Sequence, residues 1–223
     1  MKFLKRSLLL ILALATLVLA PLTSCGKEDE MPWRGSDFCS YRDSRSIEGR
    51  NISYAKITVK DYGEIIILLD ASTAPKTVAN FKKLVSEGFY NGLTFHRVIE
   101  SFMIQGGDPK ANGTGNSDET IYGEFKNNGY YNDLSHIRGV ISMARGSNDM
   151  NSASCQFFIC NADATSLDGD YAAFGYVVKG LNVVDDITYR TAKHGDSNNN
   201  NVIADKHRQA VIESIVLLDS YNP

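Results

Sequence analysis

The sequence predicts a mainly β domain, built either as a closed antiparallel barrel or as a sandwich with helices at its ends. Three observations predict it. Apolar runs of strand length recur at eight places from residue 54 onward, two stretches carry helical spacing, and strands dominate before and after each helix. Such a distribution favours strands packed around one core, and closure into a barrel would remove the exposed edges that invite pairing with other chains. No internal repeat is present.

The chain opens with a segment that stands outside the fold. Lys2, Lys5 and Arg6 precede an apolar run, Leu8 to Ala20, of 13 residues broken by Thr16. That is short of the ~20 residues needed to span a bilayer and matches a secretory signal. It ends in LTSC, Leu22 to Cys25, which resembles the lipobox of bacterial lipoproteins, so residues 1–24 are expected to be removed and Cys25 lipidated. An ordinary secretory signal with an incidental cysteine is the alternative. Cleavage before Cys25 leaves 199 of 223 residues and takes away three positive charges, lowering the formal charge from −3 to −6. A mildly acidic domain argues against a nucleic-acid partner. Acyl chains on Cys25 would tether the domain to the cell envelope, at the periplasmic or surface-exposed side of an outer membrane.

Residues 25–50 are polar and charged without apolar periodicity, and read as the lipidated N-terminus and a flexible linker, with Trp33 and Phe38 able to dock back. Glu28–Asp29–Glu30 resembles an export signal of surface lipoproteins, or is a solvated charge run. The domain proper is expected over 51–223. Ala55, Ile57 and Val59 alternate with Lys56, Thr58 and Lys60 as in a half-buried strand, and a turn at Asp61–Gly63 leads to the continuous apolar strand Ile65–Leu69. Pro75 opens a helix at a position where its missing N–H is harmless; Val78, Phe81, Leu84 and Val85 share one face, and Gly88 ends it. Strand-like runs follow at 95–99, 102–106, 140–144, 156–160, 173–178 and 211–218. A short helix over Asn182–Arg190 places Val184 and Ile187 on one side, and the run SNNNN, Ser197 to Asn201, reads as a polar loop.

Cys39, Cys155 and Cys160 do not describe a disulfide framework. Cys155 and Cys160 lie five apart in one strand-like run and point to opposite faces, so both read as buried thiols; a reactive thiol at Cys155 is the alternative. No C-x-x-C supports redox chemistry, and His136, His194 and His207 have no metal-ligand spacing, so neither a metal nor a cofactor is expected.

The stretch FHRVIESFMIQGGD, residues 95–108, sets Arg97 and Gln105 among core-type side chains, an expensive arrangement unless the arginine finds partners. This stretch, together with PKTVANF (Pro75–Phe81), NGTG (Asn112–Gly115), ISMAR (Ile141–Arg145), QFFI (Gln156–Ile159) and LDGDYAAFG (Leu167–Gly175), resembles in order and spacing the signature segments of the cyclophilin family of peptidyl-prolyl isomerases. The resemblance covers roughly residues 53–220. It implies a closed eight-stranded antiparallel β-barrel capped by two α-helices, with a groove on one outer face. By position it implies a catalytic Arg97 with Gln105 and Phe102, and a substrate groove made by Met103, Gly113, Ala144, Arg145, Gln156, Phe158, Leu167 and Tyr171.

Three departures matter. Tyr171 stands where many members have histidine, which implies changed contacts without loss of activity. Cys155 stands where relatives more often carry a small residue such as serine. Ser166 stands where the animal members that bind cyclosporin tightly have tryptophan, and the chain's single tryptophan is Trp33. Weak cyclosporin binding is therefore expected, since the ring that would pack on the drug and donate its N–H is missing.

The residue types suit the reaction. Rotation about an amide faces a barrier of ~18–20 kcal/mol, and X–Pro bonds alone have a substantial cis population. No bond is made or broken, so the catalyst must bind the twisted amide better than either planar form. A fixed cation meets the lone pair that returns to the proline nitrogen, and Phe102, Met103, Phe158 and Leu167 offer an apolar seat for the ring. His96 reads as structural, and NGTG as a turn. The expected partners are proline-containing polypeptides and, through the anchor, the membrane; a monomer is expected. The competing reading is a non-catalytic module or chaperone that holds proline peptides, for which the cation would be unnecessary.

Overall fold

The computed structural model describes Tyr41 and residues 44–222. Cys25, the signal segment, the acidic cluster at 28–30, Trp33, Phe38 and Cys39 lie outside the described residues. Within them the elements run β1 (Ile52–Val59), β2 (Gly63–Asp70), α1 (Pro75–Ser86), β3 (Thr94–Ile99), β4 (Met103–Gly106), β5 (Val140–Met143), β6 (Phe157–Cys160), β7 (Ala173–Lys179), α2 (Leu181–Thr191) and β8 (Ala210–Leu218). The strands close into an antiparallel barrel in the order β1-β2-β7-β5-β6-β4-β3-β8. Of the two architectures open from the residue pattern, the barrel is the one formed.

Strand register explains the core. Directly opposed residues share a face of the sheet. Val98, Ile104, Ile159, Ile141, Gly175 and Leu69 stand side by side across five pairings, and the five side chains among them are at most 1% exposed. Gly175 is obligatory in that row, because a Cβ there would collide with the Leu68 carbonyl oxygen. In β2 every residue from Ile65 to Asp70 is buried. One face looks into the barrel; on the other, Leu68 stands beside Tyr176, against which Tyr41 packs, so the strand reads as an unbroken apolar run.

Both helices close the same core. α1 buries Val78, Phe81, Leu84 and Val85 as its spacing requires, and Phe81 meets Phe157 edge to face at 5.7 Å. Gly88, with φ of 68°, follows the helix end, where Gly88 and Phe89 N–H groups satisfy the Val85 and Leu84 carbonyls. The other end has Ala74 at the N-cap and no side-chain cap of its own. The acceptor comes from elsewhere: the fully buried Glu124 carboxylate accepts from Lys76 N at 3.0 Å, Thr77 N at 2.8 Å and Thr77 Oγ1 at 2.7 Å.

Three strand ends are shorter than the apolar runs suggest. Phe102 belongs to the turn before β4, Ala144 follows β5 and Gln156 precedes β6. Of the stretch read as linker, the described part holds on to the barrel. Arg45 Nη2 donates to both Asp133 oxygens at 2.9 Å, Arg50 Nε donates to Asp70 Oδ2 at 2.9 Å, and the Tyr41 hydroxyl accepts from Ser135 N at 2.9 Å. Specific packing thus begins upstream of Asn51.

Candidate active site

The outer face of β3, β4, β6 and β5 carries a second row. Arg97 is paired with Gln105, Gln105 with Phe158, and Phe158 with Ser142, so these four side chains project from the same side of the sheet. A groove of about 670 Å³ lies over them. Every groove residue named from the sequence lines it: Arg97, Phe102, Met103, Gln105, Gly113, Ala144, Arg145, Gln156, Phe158, Leu167 and Tyr171. Strict alternation would send Phe102 to the other face. It escapes because Ser101, at φ of 58°, turns the chain just before β4 begins.

One half of the groove is a polar chain with a single direction. Arg97 Nη1 donates to Gln105 Oε1 at 3.0 Å, Gln105 Nε2 to Gln156 Oε1 at 2.9 Å, and Gln156 Nε2 to the Gly115 carbonyl at 2.8 Å. Each amide is oriented by the next. The backbone at the end of this chain is held by buried Asp108, whose carboxylate accepts from Lys110 N at 2.7 Å, Asn112 N at 3.0 Å and Gly113 N at 2.5 Å. Burial works to raise the Asp108 pKa, but those N–H groups and that of Gly115 bring it below the usual carboxylate value. A Cβ on Gly115 would strike the same carboxylate, so NGTG is a turn built around Asp108.

The other half is apolar. Met103, Phe158, Cys160 and Ala164 form a buried cluster separate from the barrel core, with Phe102, Ala144, Leu167 and Tyr171 packed on it half-exposed. Phe158 is fixed from both sides, stacked on His136 at 5.9 Å and met edge-on by Tyr171 at 5.9 Å. Beneath it, His136 Nδ1 lies 2.8 Å from Asp168 and Nε2 lies 3.0 Å from Ser142 Oγ. Burial lowers the His136 pKa against the pull of Asp168, so the ring is neutral; a proton on Nδ1 satisfies both contacts. The spacing imitates a nucleophilic triad, yet Ser142 is fully buried. Its effect is to hold the Leu167–Asp168 corner against Phe158. Arg145 forms the wall beyond, its guanidinium 5.3 Å from the Phe125 ring centroid and 4.9 Å from that of Tyr171. Tyrosine at 171 thus supplies a face for Arg145.

Arg97 is half-buried, and burial draws its pKa down from the ordinary value while Tyr171 works the other way. A guanidinium stays charged at neutral pH regardless. Two more bonds hold it: Nε donates to the Asn200 carbonyl at 2.7 Å and Nη2 to Asn200 Oδ1 at 3.1 Å. Asn199, Asn200 and Val202 also line the groove, from a loop whose sequence reads only as polar. No local signal marks them, because Asn200 and Arg97 are 103 positions apart and meet through barrel closure.

Residues 54–208 match the model of the cyclophilin type peptidyl-prolyl cis-trans isomerase family. The chain belongs to the cyclophilin family. A peptidyl-prolyl isomerase of Helicobacter pylori is 42% identical over 65% of this chain and 82% of that protein. Peptidyl-prolyl isomerase B of Bacillus subtilis is 43% identical over 55% of this chain and 82% of its own length. A Cryptosporidium parvum cyclophilin, whose crystal structure was determined in the presence of the dipeptide Ala-Pro, superposes with a TM-score of 0.64 at 29% identity, covering 75% of this chain and 99% of that one. This cyclophilin is accordingly a peptidyl-prolyl isomerase.

The two thiols among the described residues are not poised to react. Cys155 and Cys160 are fully buried, one in the barrel core and the other under the groove. Burial raises the Cys155 pKa and pushes that of Cys160 up to about 12, which removes the thiolate that reactivity requires.

His96, beside Arg97 and fully buried, is lowered to about 4, chiefly by desolvation. Between pH 6.5 and 4 the unfolded histidine binds a proton that the folded ring refuses, so stability falls as pH falls through that window. The difference amounts to about 3 kcal/mol, and His136 adds in the same direction. Urea denaturation from pH 7 to 4.5 should show this decline, and His96→Gln should flatten it; an unchanged slope would refute the assignment.

Proposed function

We propose that Arg97 is the catalytic cation of the isomerase and that Gln105 orients it. Phe102, Met103, Phe158 and Leu167 seat the proline ring, while Gly113, Ala144, Arg145, Gln156 and Tyr171 hold the flanking peptide. The observation that supports this reading is the placement of a charged guanidinium, hydrogen-bonded to uncharged partners, beside an apolar pocket on the same groove. As the amide twists, resonance is lost and the proline nitrogen regains its lone pair. A cation already aimed at that position favours the twisted form over both planar ones, and each 1.36 kcal/mol of preference gives about tenfold in rate. The test is cis–trans exchange of a short X–Pro peptide followed by NMR, with wild type beside Arg97→Ala.

The site of action in this reading is the bacterial cell envelope, where the monomer, lipid-anchored through Cys25, assists the folding of extracytoplasmic proteins. The support is the basic, apolar and LTSC sequence of the leader. Cys25→Ser should move the protein from the membrane to the soluble fraction; continued membrane association would count against lipidation.

Cyclosporin is expected to bind weakly. Ser166 is exposed in the short turn Thr165–Leu167 and has no ring to offer the drug. Low-nanomolar inhibition of the isomerase would sink this expectation.

A further inference from the structure

The loop between α2 and β8 is built to place one residue. Ser197–Asn199 make a single 3-10 turn whose start is capped by the Asp196 side chain, accepting from Asn198 N at 2.9 Å. The Asp196 carbonyl accepts from Asn199 N at 2.9 Å and Asn201 N at 2.8 Å, and Asp196 N donates to the Val202 carbonyl at 3.1 Å. The closed loop is strapped to β3 by the Arg97–Val202 bridge and by Ile203 N donating to the His96 carbonyl at 2.8 Å, with Val202 and Ile203 buried. Asn200 is left near the tip at φ of 51°, in the left-handed region that asparagine tolerates better than most residues.

We propose that Asn200 is a positioning residue for Arg97, holding one edge of the guanidinium while Gln105 holds the other, and that its being an uncharged amide is essential. The proposal rests on the role of Arg97 in the isomerisation. A guanidinium has five N–H donors in one plane. Asn200 takes one on Nε and one on Nη2, and Gln105 takes one on Nη1. One N–H on Nη2 remains for the peptide, together with one on Nη1 that approaches Met103 Sδ at 4.0 Å. The plane is set before substrate arrives, so the cation need not reorganise as the amide twists. A carboxylate at position 200 would grip the guanidinium as firmly, but would oppose the charge that the twisted amide uses.

Two variants of the full chain separate grip from charge. Asn200→Gly keeps the carbonyl and suits the left-handed backbone, but loses Oδ1. It should lower kcat about three- to tenfold with KM within about twofold, and speed rotation of the Arg97 guanidinium about Cζ–Nε seen by NMR. Asn200→Asp should keep that rotation slow while lowering kcat further than Asn200→Gly. Unchanged kcat and rotation in Asn200→Gly, or wild-type kcat in Asn200→Asp, would overturn the proposal. So would a kcat loss in Asn200→Gly that tracks a lowered melting temperature with no change in Arg97 rotation. If the Arg97 reading itself were wrong, Arg97→Ala would keep full activity, whereas the rotation rates would still report whether Asn200 grips the guanidinium.

Discussion

Arg97→Ala is expected to reduce kcat/KM for X–Pro exchange by roughly 10²–10³-fold, the range seen when one preorganised donor is removed from a transition-state site. That is about 2.7–4 kcal/mol of differential stabilisation. Arg97 is suited to an effect of this size because three nitrogens are restrained by neutral acceptors and the side chain is partly withdrawn from water. Arg97→Lys should recover little, since a compact ammonium cannot satisfy Gln105 and Asn200 together in the plane of the guanidinium. The fold should tolerate both changes, because the side chain lies on the outer face and not in the barrel core. Exchange rates and melting curves on the same samples check this. Equal acceleration by wild type and Arg97→Ala would end the proposed role of the cation.

Glu124→Ala is expected to have the largest effect on stability, a loss of about 3 kcal/mol, through buried donors left without an acceptor. The carboxylate is fully buried and accepts three hydrogen bonds at the N-terminus of α1, from Lys76 N, Thr77 N and Thr77 Oγ1. That helix has alanine at its N-cap and no acidic residue in its first turn, so nothing local replaces the lost acceptor or its favourable placement against the helix dipole. For a chain of this length the loss corresponds to roughly 6–12 °C in melting temperature. Glu124→Gln should fall between wild type and alanine, because one carbonyl oxygen remains while an N–H₂ group faces donors. Isomerase activity per folded molecule should not change, as Glu124 is not among the groove-lining residues. A melting temperature within about one degree of wild type for Glu124→Ala would show that the cap contributes little.

How much of the site could be read in advance follows from sequence distance. Arg97 and Gln105 face each other across one hairpin, and the short turn at Glu100–Phe102 places them in register. Their relation was therefore legible in a single motif. Phe158 enters the same row from a strand some fifty residues on, and was named through the ordered family motifs, not through local periodicity. Asn200 could not be named: its loop is polar, carries no chemical motif, and meets Arg97 across 103 positions. Residues 44–50 carry no apolar period either, so the anchoring of Arg45 and Arg50 on Asp133 and Asp70 was invisible in the pattern.

The sequence by itself determined where strands and helices form and which side chains are apolar on each face. Both follow from spacing along the chain, with periods of two and about 3.6 residues. It also determined that a guanidinium and two amides would be held among apolar residues in ordered motifs. Tertiary structure alone decided which distant groups satisfy the polar ends. Glu124 caps a helix that lacks its own cap, Asp108 anchors the NGTG turn, and Asn200 grips the edge of Arg97 that Gln105 leaves free. Hydrogen bonds are short and directional, so their partners are chosen by where the closed barrel brings the backbone. The arginine set in a hydrophobic hairpin is accounted for in the same terms. The hairpin supplied Gln105, and closure of the barrel supplied Asn200.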